Sequence, residues 1–284
     1  MSIAGSAALE FPSEVARLQQ IARRLRRHML TMAAGKGQGY IGQGLGVADL
    51  LSALYFHEMN FDPKNPKWEQ RDRFLLSTGH YSIALWAALA EAGVIPLDEL
   101  PRYGADQSRL EMSTTEATPG VEMTGGSLGH GLGQAIGMGL GLRLQKNAAR
   151  VFVELSDGEL QEGSTWEGAM AGAHFRLDNV VAIIDCNGIQ ADGPLVMTIE
   201  PVARKWASFG WETFEINGNE MGQILSALTQ ARNANGQPKA IIARTVPGKG
   251  VPSIENCEKA HFLNTSHIDW DQAIQELEAS CESL

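Results

Sequence analysis

The sequence is poor in cysteine: Cys186, Cys257 and Cys281 are odd in number and share no CxxC spacing, which excludes a disulfide framework and a cysteine zinc site. Clustered positive charge is also missing. With 23 Lys and Arg scattered against 33 Asp and Glu, the formal charge is −10, and no basic stripe exists to track nucleic acid or an anionic membrane. Nor is there a membrane-spanning run. The uncharged stretch GGSLGHGLGQAIGMGLGL, Gly125 to Leu142, is dominated by glycine and too weakly hydrophobic to span. The start, MSIAGSAALEFPSE, has no basic n-region and meets Glu10 before any usable apolar run, so no signal peptide is expected and the cytoplasm is.

What remains is an ordinary globular composition, 44% apolar over 284 residues, enough for one large α/β domain. We read 1–284 as a single domain with a helical lead-in over about residues 1–35, where apolar residues keep a helical period from Val15 to Ala34. A glycine-rich loop, GKGQGYIGQGLG, follows, and then a helix from Val47 to Phe56. Beyond it, RFLLS, VFVELS, VVAIID, WETFEI and KAIIARTV read as strands separated by helical stretches. That alternation predicts a doubly wound, mostly parallel sheet with helices on both faces. Residues 97–119 read as an irregular excursion. Gly129, Gly133, Gly137 and Gly141 recur every four residues, which on a helix lines one face with no side chains and invites another backbone, in this subunit or the next.

In open parallel sheets ligands sit beyond the carboxyl ends of the strands. Asp157 and Gly158 follow VFVELS, and Asn187 and Gly188 follow VVAIID, thirty positions on. One strand-helix-strand unit therefore places Asp157 and Asn187 on neighbouring strands at the same edge. A carboxylate, an amide oxygen and the Ile189 carbonyl are hard ligands suited to Mg²⁺, with coordination positions left for phosphate oxygens. Gly158 would let a phosphate approach the backbone, and a helix starting near Glu162 would aim its amides at the same edge. Taken singly, Asp157 reads as a helix cap and Asn187-Gly188 as a turn; their pairing points to the cation. Gly37, Gly39 and Gly42 also spell GxGxxG, but they follow a helix rather than a strand, so a dinucleotide site is not indicated.

The segment SDGELQEGSTWEGAMAGAHFRLDNVVAIIDCNG resembles the thiamine diphosphate motif, GDG followed some thirty residues later by asparagine. NFDPKNPKWEQRDRFLLSTGH, TPGVEMTGGSLGHGLGQAIGMGLGL and PGKGV extend the likeness from about Gln19 to His261, and together they resemble the N-terminal section of transketolase in its split-gene form. The resemblance implies the diphosphate-binding type of thiamine diphosphate fold. It implies that Asp157, Asn187 and the Ile189 carbonyl hold Mg²⁺, with Ca²⁺ or Mn²⁺ as substitutes, and that Gly158 and Asn187 touch the diphosphate. By the same resemblance His80 and His261 lie near the diphosphate and the reacting carbons as proton handlers or phosphate donors, imidazole titrating near neutrality. Gly126 and Leu128 shape the cofactor pocket, and Glu162 and Glu167 stand near the cofactor and the subunit contact.

Three positions depart from the family pattern. Ser156 replaces the first glycine of GDG, Tyr40 stands where an early substrate histidine is usual, and Ser113 falls near the place of another. Cofactor binding is expected intact and donor recognition altered. The family's second, pyrimidine-binding domain has no counterpart up to Leu284, so a C-terminal-section partner is expected, two copies of each chain. The implied activity is transfer of a two-carbon ketol unit between sugar phosphates. Two alternatives are a 2-oxo-acid decarboxylase, dehydrogenase or acyl-transferring subunit, and a non-catalytic regulatory subunit.

Overall fold

The computed structural model describes residues 12–191, 193–255, 257 and 259–280. Five parallel strands form its central sheet: β1 (Arg73–Leu76), β2 (Val151–Ser156), β3 (Val180–Cys186), β4 (Glu212–Asn217) and β5 (Lys239–Arg244), in the order β1-β2-β3-β5-β4. Strands β2 and β3 are enclosed along their whole length, which is why they read as apolar runs rather than alternating ones. Their residues divide by parity. Phe152, Val181, Ile183 and Ile241 enter one core, whereas Val151, Val153, Leu155, Val180, Ala182, Ile184 and Ile242 enter the other.

The first core is covered by α1 (Pro12–Lys36), α3 (Ala48–Ala53), α4 (Ser82–Glu91), α8 (Met221–Ala231) and α9 (Trp270–Ala279). The second is covered by α5 (Gly131–Leu144), α6 (Gly163–His174) and α7 (Val202–Ser208). The chain moves outward along the sheet through α6 and α7 and turns back from β4 to β5 through α8. Reversing direction with crossovers of one hand moves the helix to the other face, which yields the doubly wound arrangement. Helix α1 follows its apolar period, burying Leu18, Ile21, Leu25, Met29 and Met32. The excursion at 97–119 contains one 3₁₀ helix, Leu97–Arg102, and otherwise turns.

Two local expectations need correction. Part of the glycine-rich loop is α2 (Ile41–Gly46), a fully enclosed helix. Tertiary contact overrides the poor helix propensity of glycine there: the Gly42 N–H donates to the Ala260 carbonyl at 3.0 Å, and a Cβ on Gly42 would lie 2.5 Å from that oxygen. The every-four stripe loses its first member, because Gly129 has φ +83° and precedes α5. Helix α6 begins at Gly163 with Glu162 as its N-cap, as expected, and a 3₁₀ turn, Gly158–Gln161, lies between Asp157 and it. The signal-peptide reading and Cys281 lie outside the described residues. Cys186 and Cys257 are free thiols, and among the described residues no helix is long and apolar enough to cross a membrane.

Candidate cation and diphosphate site

In register, Ser156 faces Asp185 and Cys186 faces Arg244, so β2, β3 and β5 end level. The residues that follow them meet at one edge. Asp157 and Asn187 come together as the spacing predicts: the Gly188 N–H donates to Asp157 Oδ2 at 2.7 Å, and the Gly158 N–H donates to Oδ1 at 2.8 Å. Asp157 thus caps the 3₁₀ turn and also stands beside Asn187. The cap and the pairing are one arrangement rather than alternatives. Asp157 is 2% exposed, and burial together with the nearby Asp185 carboxylate pushes it up to about 7.

Asn187 donates its amide N–H groups to Asp185 Oδ2 at 2.7 Å and to the Tyr81 hydroxyl at 3.0 Å, while its Oδ1 accepts the Ile189 N–H at 3.0 Å. Asp185 lies in β3, fully enclosed. It accepts hydrogen bonds from Tyr81, at 3.0 Å, and from the Thr245 hydroxyl beyond β5, and burial pushes it up to about 6. Tyr81 reaches the cluster from the 3₁₀ turn Gly79–Tyr81 after β1. Gly158 leaves room: a Cβ there would meet nothing nearer than 3.7 Å. Gly188 has φ +77° with nothing within 4 Å. Among the described residues no three His, Cys, Asp or Glu side chains converge as a metal cage. The edge offers instead one carboxylate, of Asp157, and one amide oxygen, of Asn187, hard donors that suit a cation sharing its shell with phosphate oxygens.

A second group lies at the tip of β1. Gln38 and Gly39 pair antiparallel with Leu263 and Asn264, which draws Tyr40 to His261. The Tyr40 ring sits edge-on to His80, His261 and Phe262, with centroids 5.0, 5.5 and 5.0 Å away, and His80 is 5.2 Å from His261. Burial, with His261 alongside, pushes His80 down to about 3, so it remains neutral and does not titrate near neutrality as the sequence suggested. Gln43 Nε2 lies 3.4 Å from His261 Nδ1. Gly126 and Leu128 lie on the loop before α5, and Gly126 is near Ser113, whose hydroxyl donates to the Gly125 carbonyl at 2.9 Å. Glu162 and Glu167 stand apart from the Asp157 cluster as exposed residues at the start of α6. Glu167 lines an open groove between α5 and α6 with Gly133, Gln134 and Ala171.

Sequence reading missed the buried polar layer beneath these groups. Glu159 is fully enclosed, accepting the Gly129 N–H at 2.7 Å and the Ser77 hydroxyl, while Ser77 in turn accepts the Gly131 N–H at 3.0 Å, fastening α5 to the tip of β1. Glu154, inside β2, accepts from Thr78, and burial holds it well above the usual carboxylate range. An acid in the middle of the otherwise apolar VFVELS was the available signal.

A doubly wound sheet with an acid and an amide at adjacent strand tips defines an α/β protein whose ligands bind at that edge. Residues 18–277 match the family model described as transketolase, thiamine diphosphate binding domain. The chain is 51% identical to a transketolase family protein of Sinorhizobium fredii over 92% of this chain and 95% of that one. It is 38% identical to the 6-deoxy-6-sulfo-D-fructose transketolase subunit SqwG of a Clostridium species, covering 92% of this chain and 96% of that one. The transketolase structure from Campylobacter jejuni superposes with a TM-score of 0.82 at 29% identity, covering 93% of this chain but 46% of that one. The chain belongs to the transketolase thiamine diphosphate binding domain family.

Proposed function

We propose that this chain is one diphosphate-binding domain acting as the cofactor-holding subunit of a thiamine-diphosphate-dependent, transketolase-like enzyme of the cytoplasm. The enzyme transfers a two-carbon ketol unit between sugars or sugar phosphates, and it works with a second subunit that carries the pyrimidine-binding domain. The observation that carries this reading is the contact between Asp157 and the Asn187-Gly188 tip in a chain of this family. Asp157, Asn187 Oδ1 and the Ile189 carbonyl would hold Mg²⁺, and Gly158 with Asn187 would receive the diphosphate. Bound there, thiamine diphosphate supplies the nucleophilic carbon that carries the transferred unit.

The chain's own residues bind and orient. Neutral His80 exchanges hydrogen bonds without carrying charge, and it shares the donor side with His261 and Tyr40. Gly126 and Leu128 wall the pocket, and Glu162 and Glu167 face the partner with the α5–α6 groove. Of the two departures from the family's substrate histidines, Tyr40 faces His80 and His261, whereas the Ser113 hydroxyl is engaged by Gly125. Donor selection therefore passes to Tyr40, in keeping with an unusual ketose. The relative named for 6-deoxy-6-sulfo-D-fructose supports that class of donor.

The test is Asp157→Ala in the chain assembled with its partner. Cofactor affinity should fall by about 100-fold or more, since no other charged side chain replaces the ligand. Transfer from a ketose without CO₂ release supports ketol transfer. CO₂ release from a 2-oxo acid would replace it with the decarboxylating alternative, and failure of the wild-type pair to bind thiamine diphosphate with Mg²⁺ would leave only a non-catalytic subunit.

A further inference from the structure

We infer that Asp185 is a positioning residue that fixes which end of the Asn187 amide faces the cation. The inference rests on the proposed cation site. An asparagine amide presents an oxygen at one end and two N–H donors at the other, in nearly the same shape, and only the oxygen can ligate a hard cation. Something must therefore select the end.

The neighbours of Asn187 do so from both sides. The Asp185 carboxylate, 2.7 Å from Nδ2, is an acceptor, and the Ile189 N–H, 3.0 Å from Oδ1, is a donor. Turning the amide over would set Oδ1 against the carboxylate and N–H against N–H, two repulsive contacts in place of two hydrogen bonds. Asp185 cannot swing away to accommodate the turned amide. Its other oxygen accepts the Thr245 hydroxyl, and Tyr81 donates to the same oxygen as Asn187 does while accepting from Nδ2. The side chains of Tyr81 and Asp185 are enclosed, so water offers no substitute acceptor.

The main chain of Asp185 adds a second tie: its carbonyl accepts the Asp157 N–H at 2.9 Å. Both side-chain ligands are thus set from one residue, Asp157 through its backbone and Asn187 through its amide. This is the outer-shell arrangement that holds a ligand's donor atom in place. A polar cluster serving only stability would contribute folding free energy without needing to discriminate between the two ends of Asn187.

The full chain, assembled with a C-terminal-section transketolase subunit, is titrated with Mg²⁺ at saturating thiamine diphosphate, with binding followed by calorimetry. Asp185→Leu, which removes the acceptor, should raise the Mg²⁺ half-saturation by about 10- to 100-fold. Asp185→Asn, which keeps an oxygen for Nδ2, should shift it by less than about tenfold. Tyr81→Phe retains the carboxylate and removes one acceptor, and should shift it by at least about threefold; it carries the test if the leucine variant does not fold. Unchanged Mg²⁺ half-saturation in a folded Asp185→Leu or, failing that, Tyr81→Phe protein overturns the inference even if stability drops. A wild-type pair that does not bind Mg²⁺ with thiamine diphosphate overturns the cation site itself, and the inference with it.

Discussion

Gly79→Ala probes whether the site is built by close backbone approach. Gly79 follows β1, and a Cβ there would lie 2.6 Å from the Gly125 carbonyl carbon and 2.7 Å from Gly125 Cα and Gly126 N. To reach ordinary contact at 3.4 Å the facing backbone must retreat by about 0.8 Å. That segment is tethered: the Thr114 N–H donates to the Gly79 carbonyl at 3.1 Å, and the Gly125 N–H donates to the Thr114 carbonyl at 3.1 Å. Overpacking against main chain costs about 1–3 kcal/mol, and weakening one such hydrogen bond adds about 1 kcal/mol, so the loss should total about 2–4 kcal/mol. Because the displaced segment carries Gly126, thiamine diphosphate affinity in the assembled protein should fall alongside stability. Urea denaturation followed by calorimetric titration measures both. Gly163→Ala is the control, since a Cβ there meets nothing within 4 Å, and it should be neutral or stabilising by up to about 1 kcal/mol. A Gly79→Ala protein within about 0.5 kcal/mol of wild type that binds cofactor normally would refute the reasoning.

Other consequences follow from the same contacts. His80 is pushed down to about 3, so between pH 6.5 and 3 the unfolded chain binds a proton that the folded chain refuses. Its contribution to stability is full above the unfolded value and is lost as pH falls through that window. Screening by solvent at this half-buried ring limits the loss between pH 7 and 5 to at most about 2 kcal/mol. Urea melts of wild type and His80→Gln at both pH values should show the acid-side slope diminished in the variant, and equal slopes would count against a depressed His80. Ser77→Ala strands the Gly131 N–H and takes away one of the two donors to Glu159 Oε1, and should cost about 1–3 kcal/mol in the same melts. Gly133→Ala and Gly137→Ala meet nothing within 4 Å and should each stabilise the isolated chain by about 1 kcal/mol. If the α5 face docks against another backbone, both should also weaken assembly, read by analytical ultracentrifugation.

Much of the fold was legible because its strands are either enclosed runs or followed at once by turn residues. RFLLS ends in Thr78-Gly79 and VVAIID in Asn187-Gly188, and the observed strands fall on those segments. The pairing of Asp157 with the Asn187 tip was legible for the same reason, since crossover length and direction are nearly fixed by the βαβ unit. What could not be read was polar burial. Nothing in the spacing shows that Tyr81 reaches Asp185 from β1, more than a hundred residues away in sequence, or that Glu159 turns inward to Gly129 and Ser77. Helix α2 was missed because its glycines argue for a loop locally, and only the closeness of Ala260 explains them.

Glycine has two opposite uses here, and the difference bears on assembly. At Gly42 and Gly79 the missing side chain is already filled by another backbone of the same chain, so these residues set internal geometry. Along α5 the pattern inverts: Gly139 and Gly131 press on Val180 and Ser77, while at Gly133, Gly137 and Gly141, each one helical turn from the next, a Cβ would meet nothing within 4 Å. A helix that has already met its internal packing needs with Gly131 and Gly139 gains nothing within this chain from the other three. Each carries a helix-propensity cost of about 1 kcal/mol relative to alanine. That unrecovered cost, beside the groove that holds Glu167, is the physical reason to expect this face to close against a second chain.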